Sequence, residues 1–401
     1  MVDGQGAAAT RTCLPWANGT SVVHRGRPGR TPPMKALRIA LLVVVCLAAL
    51  GFYGMRHFAR DKQALLELKA MVGNGDLGQA FQQMDSIGGF QNPLIDLSYQ
   101  RWKKKMVARF ITHEEVLENT SGNAIVNDVS NIYRAYWRAE LMKTDPADRT
   151  DSTLYHALAD YMLSQGLTAL TRDSLERTVK NDVELGRILA GQGFKSKFLL
   201  RNGIQEVLIW NKETSAQYTV ALPKDTVRTK VVFIAGYSLN GYDDYATFGS
   251  AQVGGWAEQE SATLYCNRDQ YDLGSEVFEV SYLKHETLHF TDLNAYPNLS
   301  PADLEYRSKV IELMYCTEAT MQDRIAQFVR EADGSDRSHS HPYANHVLMT
   351  ALSDMLFQRG FEQDLAVWSS IPVEAINRAA AALYAASEAT LRQDPERAEV
   401  I

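Results

Sequence analysis

Apolar residues recur at helical spacing through most of the first half of the chain. They return every three or four positions over residues 61–72 and 95–110, and Tyr133, Trp137 and Leu141 form a stripe at intervals of four. Side chains three or four positions apart share one face of a helix, so the pattern predicts helices that pack around a common core. We therefore expect residues 56–204 to form a helical region with the aromatic stripe in its core.

From about residue 205 the pattern becomes that of strands, with runs of β-branched and aromatic residues. The predicted strands are 206–210, 218–222, 230–235 and 261–266, the first two joined through 211–217. The last of them alternates like a half-buried strand. It is either an ordinary strand of the sheet or an edge strand that can pair with an extended peptide. The predicted fold class is α+β, with a mostly helical N-terminal region followed by a domain of residues 205–401 that contains a small sheet.

The N-terminal residues divide into a polar leader and an apolar segment. Residues 1–36 are rich in Arg, Gly and Pro and predict a disordered basic leader, with Met34 as an alternative start to Met1. Residues 37–55 are almost continuously apolar and predict an uncleaved transmembrane signal anchor. Six Lys and Arg residues lie at or before Arg38 and three shortly after the segment. This asymmetry predicts a cytoplasmic N-terminus and a C-terminal domain on the extracytoplasmic side, periplasmic or extracellular.

Composition narrows the class of protein. The chain has 401 residues, 45% of them hydrophobic, and a net charge of −7, which allows one or two domains with a sizeable core. No long basic run lies beyond the leader, so nucleic acid is not expected as a partner. None of the four cysteines has zinc-finger spacing. Cys266 and Cys316 would form a disulfide in an oxidising compartment or stay as two buried thiols.

The chemistry of the sequence is concentrated in the stretch His285-Glu286-Thr287-Leu288-His289. On a helix the two histidines lie one turn apart on the same face, where both imidazoles can bind one metal ion. Glu286 lies about 100° round the helix from His285 and can reach a water molecule on that metal. Because Zn²⁺ lowers the pKa of bound water to about 7, the carboxylate can act as general base. The pattern predicts a metal-assisted hydrolase; the alternative is an amphipathic helix whose histidines merely fall four apart.

A second helix start follows the motif. Ser300 at the N-cap, Pro301 at the first position and Asp303 at the third predict a helix over about 301–330. The glutamates of this helix are Glu305, Glu312 and Glu318.

The motif helix, the connecting loop and the start of this next helix together resemble the gluzincin group of zinc metallopeptidases. The extended metzincin pattern is absent, because Ala295 stands where its third histidine would be. The resemblance implies a zincin-like domain in which a glutamate of the second helix completes the metal site. It implies Zn²⁺ held by His285, His289 and Glu305, with Glu312 and Glu318 as the alternatives for the third ligand.

The resemblance also implies a residue that stabilises the oxyanion of a tetrahedral intermediate, for which gluzincins use a histidine or a tyrosine. The stretch 337–346 holds three of the nine histidines. We carry the role onto His341 and Tyr343, with a polar surface loop or an adventitious metal-binding tract as the alternative.

These features together predict a membrane-anchored zinc metallopeptidase that cleaves peptide or protein substrates. Two alternatives stay open. One is a non-catalytic membrane-anchored binding or scaffold protein that retains the fold, and the other is an amidase that acts on a non-protein amide. Glu286 favours an enzyme, because a non-catalytic relative would be free to lose this carboxylate.

Overall fold

The computed structural model describes residues 54, 57–116, 119–259 and 261–401. The leader predicted at 1–36 lies outside these residues, and so does the anchor predicted at 37–55 apart from Gly54. The chain divides into two compact units, Met1–Arg60 and Asp61–Ile401. The fold and the candidate site described below both belong to the second unit.

The region before the sheet is helical, as the apolar periodicity predicts. Its helices are α1, whose residues 61–73 belong to this unit, α2 (Leu77–Ile87), α3 (Pro93–Phe110), α4 (Ala124–Leu141), α5 (Ser152–Ser164), α6 (Arg172–Leu175) and α7 (Thr178–Gly191). Tyr133, Trp137 and Leu141 are all buried within α4, so the predicted aromatic stripe is confirmed as core. The same core includes Val207 and Ile209 from the sheet.

One curled sheet of five strands follows, in the order β1-β2-β3-β5-β4. Its strands are β1 (Lys195–Arg201), β2 (Ile204–Ala221), β3 (Thr226–Asn240), β4 (Gly255–Glu258) and β5 (Thr263–Asn267), with the short helix α8 (Gly241–Thr247) after β3. β3 and β5 run parallel, and the other neighbouring pairs are antiparallel. The architecture is therefore mixed α and β, with one sheet and a majority of helix.

The sheet differs from the prediction in three respects. β2 is one strand of 18 residues rather than two, because its polar middle, 211–217, keeps pairing with β3. β1 and β4 were not predicted. The strand predicted at 261–266 corresponds to β5, but β5 lies between β3 and β4, so the edge of the sheet is β4.

Successive side chains of a strand point to opposite faces, and the two faces of this sheet have different neighbours. Val231, Phe233 and Leu264 face a π-helical segment, Val277–Lys284, and the helix that continues from it. Trp210, Val232, Trp256 and Tyr265 lie on the opposite face.

The C-terminal part is again helical. Its helices are α9 (His285–Ala295), α10 (Pro301–Tyr315), α11 (Met321–Glu331), α12 (Ser340–Phe357), α13 (Leu365–Ser369) and α14 (Val373–Gln393). The predicted start of α10 is confirmed, since the Ser300 hydroxyl oxygen accepts the Asp303 N–H at 3.3 Å. The helix predicted over 301–330 is in fact two helices. The link between them is held by Glu276, whose carboxylate accepts the Thr317 N–H at 2.7 Å.

The membrane assignment is corrected by the structure. Over the part of the chain that is described, no helix is long and apolar enough to cross a bilayer. This finding contradicts the transmembrane signal anchor, the membrane as a partner and the extracytoplasmic location that was derived from them. The segment 37–55 itself lies outside the described residues apart from Gly54.

Cys266 and Cys316 are both buried and both free thiols. Of the two alternatives that the sequence left open, the structure therefore has the pair of buried thiols.

Candidate metal centre

Two histidines of α9 and one glutamate of α10 meet where the helices pack together. His285 Nε2 lies 3.5 Å from Glu305 Oε2, and His289 Nε2 lies 3.4 Å from Glu305 Oε1. The ligand atoms of the three residues all lie within 4.8 Å of one another. The structure thus brings together the three side chains that the sequence predicts as metal ligands.

The local sequence explains this meeting. Capping by Ser300 fixes where α10 begins, and Glu305 then falls in the second turn, close to the loop that returns from α9. Ser308, three residues further along and on the same face, donates its hydroxyl to the His285 carbonyl at 3.1 Å. This bond holds α10 against the first residue of α9.

Glu312 lies behind the cluster and contacts the other nitrogen of His285. The distance from His285 Nδ1 to Glu312 Oε1 is 2.8 Å, and Arg324 Nε lies 3.1 Å from Glu312 Oε2. A neutral imidazole that donates from Nδ1 has its lone pair at Nε2, the nitrogen that faces Glu305. Glu312 therefore occupies the position of a carboxylate that orients a metal-binding histidine. Glu318, the other alternative ligand, is exposed in the link after α10.

The electrostatics of the cluster favour positive charge. Burial alone would lower the pKa of His285, but its contacts with Glu305 and Glu312 raise this pKa to about 10. Burial alone would likewise raise the pKa of Glu305, but the charge of His341 and the contacts with the three histidines hold it well below its usual value. A site that stabilises a proton on a histidine in this way also stabilises a cation that displaces the proton.

The donor set fits a zinc ion. Zinc binds histidine nitrogen and carboxylate oxygen at about 2.0–2.2 Å, and two ligands of a tetrahedral site are then about 3.3–3.5 Å apart. His285 Nε2 lies 3.5 Å from Glu305 Oε2 and His289 Nε2 lies 3.4 Å from Glu305 Oε1, so each histidine is at about this distance from one oxygen of the carboxylate. The partners of Glu305 Oε2 among the described residues are His341 Nδ1 at 2.9 Å and His285 Nε2 at 3.5 Å, both nitrogens that can also bind a metal ion.

Glu286 is half-buried, and its charge acts on groups of β5 and of the segment before the motif. Burial raises the pKa of the Cys266 thiol on β5 to about 12, and the charge of Glu286 contributes to that rise. Burial also raises the pKa of Tyr271 and Tyr282, again with a contribution from Glu286. Glu286 is therefore close enough to Cys266, Tyr271 and Tyr282 for its charge to be felt there, and on an ideal helix it stands about 100° round the axis from His285.

Of the two residues predicted to stabilise an oxyanion, one lies at the cluster. His341, in the first turn of α12, places Nδ1 2.9 Å from Glu305 Oε2, and its side chain is 64% exposed. The ring of Tyr343 instead lies under the guanidinium of Arg337, at 5.3 Å. No hydrogen bond joins Tyr343 to the cluster within the described residues, so the structure gives no support to its predicted role.

A buried ion network next to the cluster was not predicted. Arg307 binds Asp292 of α9 at 2.6 and 2.9 Å and Glu388 of α14 at 3.0 Å. Residues two apart on a helix point in nearly opposite directions, so Arg307 cannot face the same way as Glu305. The proximity of Glu312 to the histidines could have been predicted from the sequence, because residues seven apart on a helix, such as Glu305 and Glu312, share one face.

No family model, curated protein or solved structure matches this chain. The gluzincin resemblance accordingly depends on the motif and on the helix that follows it, and membership of that group stays a prediction.

Proposed function

We propose that this protein is a zinc-dependent hydrolase that cleaves peptide bonds. The observation that carries the proposal is the convergence of His285, His289 and Glu305, whose ligand atoms all lie within 4.8 Å of one another. Each histidine has Nε2 at 3.4 or 3.5 Å from one oxygen of Glu305. Glu312 supports it, because a carboxylate on the far nitrogen of His285 leaves the near nitrogen free to bind metal.

Each residue has a separate task in this proposal. His285, His289 and Glu305 would hold the zinc, which when bound supplies Lewis acidity toward a water molecule and the scissile carbonyl. Glu286, on the adjacent side of α9, accepts a proton from the attacking water and passes it to the leaving nitrogen. His341, exposed beside Glu305, is the group that we assign to the oxyanion.

The edge strand β4 favours an extended peptide over other amides. β4 packs against α9. Gly255 of β4 lies against the ring of Tyr282, three residues before His285, so closely that a Cβ at Gly255 would be 2.5 Å from the ring. After β4, the side chain of Gln259 donates to Asn294 at 3.3 Å, near the end of α9. The strand thus runs alongside His285 and His289, and its open edge offers backbone groups to a substrate strand.

The general base is tested by Glu286→Gln in the full chain. We expect stoichiometric zinc by elemental analysis and a rate of peptide hydrolysis that falls by about 10²–10⁴-fold, because only the proton acceptor is lost. The matched control is Glu279→Gln, which changes an exposed carboxylate of the preceding π-helical segment and should leave both zinc and rate unchanged.

Two outcomes would count against the proposal. Wild-type protein that binds zinc but cleaves no peptide in a proteome-derived library would rule out peptidase activity and leave the scaffold or amidase alternatives. Hydrolysis at the wild-type rate by Glu286→Gln would show that another residue accepts the proton.

A further inference from the structure

An aromatic groove lies on the face of the sheet that points away from α9. It encloses ≈ 600 Å³ between α7 and the sheet. The rings of Trp256 on β4 and Tyr265 on β5 stack at 4.9 Å, and Trp210 of β2 meets Trp256 edge-on at 6.1 Å. Within the described residues, the indole N–H of Trp256 is buried and donates to no acceptor. None of these aromatic residues has a task in the chemistry proposed above.

This groove and the candidate metal centre lie on opposite faces of the same edge strand. The Asn267 N–H donates to the Gly254 carbonyl at 2.9 Å, and the register pairs Trp256 with Tyr265. Hydrogen-bonded and non-bonded pairs alternate in an antiparallel ladder, so the N–H and C=O groups of Trp256 point inward to β5. Those of Gly255 and Ala257 consequently point outward to the open edge.

A strand that pairs with this edge would have its side chains sorted between the two faces. Directly opposed residues of neighbouring strands place their side chains on the same face. A substrate residue opposite Gly255 or Ala257 would therefore face α9, where Ala257 packs with the cluster around Tyr282. The substrate residue between those two would lie opposite Trp256 and face the groove.

We infer that the groove is a specificity subsite for an extended peptide that pairs with the edge of β4. Every second side chain of that peptide would enter the groove, on the face of β4 opposite the metal centre. The inference rests on the proposed peptidase function and deepens it. The charges at the rim are largely matched: Lys195 pairs with Glu213, and Lys197 lies 3.6 Å from Glu258. The groove thus presents aromatic surface rather than net charge. Because aromatic rings pack well on one another, the peptide side chain that the groove selects is aromatic.

The experiment moves one Phe, position by position, along otherwise Ala- and Ser-containing peptides and maps each cleavage site by mass spectrometry. With the full zinc-loaded chain we expect kcat/KM to rise by about tenfold when Phe stands at alternate positions, either the odd or the even ones counted from the scissile bond. In Trp256→Ala the ratio of kcat/KM with Phe to kcat/KM with Ala should fall to near one at those positions. At the positions between them this ratio should stay as in wild type.

Two further variants separate the groove from general damage. Trp256→Phe keeps a ring on Tyr265 and should retain most of the alternating preference. Trp102→Ala removes a half-buried indole from α3, far along the chain, and should leave the alternation intact. Zinc content and thermal unfolding of each variant show whether it is folded.

A Phe preference without alternation in the wild type would overturn the inference, whether or not Trp256→Ala folds. Alternation that survives in Trp256→Ala would overturn it as well. In both cases peptides are still cleaved, so the proposed function stands. Absence of any peptide cleavage by the wild type would instead remove the proposed function and the subsite together.

Discussion

Two clusters of buried charge lie on the same pair of helices, and they are built in opposite ways. In the first, Arg307 of α10 is fully buried and binds Asp292 and Glu388, both of which are also buried. The guanidinium supplies a permanent positive charge in a planar arrangement that matches carboxylates. This cluster is complete within the protein and ties α9, α10 and α14 together.

In the second cluster, Glu305 stands two residues before Arg307 on α10 and is surrounded by His285, His289 and His341. No Arg or Lys pairs with Glu305 within the described residues. Histidine is a partner that can give up its proton, so a divalent cation can enter without displacing a fixed charge. The comparison teaches that burial of charge alone does not indicate a functional site, whereas the kind of partner does.

The largest effect should come from removing the carboxylate of the second cluster. In Glu305→Ala we expect zinc affinity to fall by about 10³-fold or more, equivalent to more than about 4 kcal/mol, because one ligand of the ion is lost. Chelator-competition titration measures this change. Arg307→Met is the control from the first cluster and should keep stoichiometric zinc; equal zinc loss in both variants would contradict the separation of the two clusters.

Stability without metal should show the reverse order. Arg307→Met leaves Asp292 and Glu388 buried without their cation, and removing one partner of a buried pair costs about 3–5 kcal/mol. Glu305→Ala removes one carboxylate from the histidines, but Glu312 still contacts His285 at 2.8 Å, so the loss in free energy of unfolding should be smaller than in Arg307→Met, about 1–3 kcal/mol. Urea unfolding in the presence of a chelator measures both. A larger loss in Glu305→Ala would show that the histidine cluster stabilises the fold by itself.

The orienting carboxylate should have a smaller effect than the ligand. Glu312→Gln keeps the size of the side chain but weakens its hold on His285 Nδ1, and partners of this kind contribute about 10–100-fold to metal affinity. The same titration, run beside Glu305→Ala, measures the difference. If Glu312→Gln lost as much affinity as Glu305→Ala, Glu312 would have to be reassigned as a ligand.

The sequence predicted the second cluster better than the first. The spacing of His285 and His289 and the capped start of α10 are local signals, and together they place Glu305 near both histidines. Arg307 reaches across to Asp292 and Glu388, which stand 15 residues before it and 81 after it. Such a partner depends on how three helices pack, which no single stretch of sequence contains.

The sheet shows the same limit of prediction from local sequence. β3 was recognised from its run of apolar residues, but β4 has four residues, Gly255–Glu258, too few for a periodic pattern. It forms because its backbone pairs with β5 and because Gly255 leaves room for the Tyr282 ring. Tertiary pairing rather than propensity decides this strand, and with it the edge on which the proposed peptide site depends.

The smallest of the predicted effects is a dependence of stability on pH that belongs to the first cluster. Burial alone would raise the pKa of Glu388, but Lys224, Tyr296, Arg392 and Arg307 lower it to about 2. A carboxyl whose pKa is lower in the folded chain stabilises the fold above its unfolded pKa of about 4.5, and the stabilisation is lost as pH falls toward 2. Between pH 5 and pH 2.5 the wild type should therefore lose about 2 kcal/mol more than Glu388→Gln. The control is Glu374→Gln, an exposed carboxyl of the same helix, which should follow the wild-type curve. Identical acid profiles for wild type and Glu388→Gln would mean that Lys224, Tyr296, Arg392 and Arg307 together do not stabilise the ionised carboxylate.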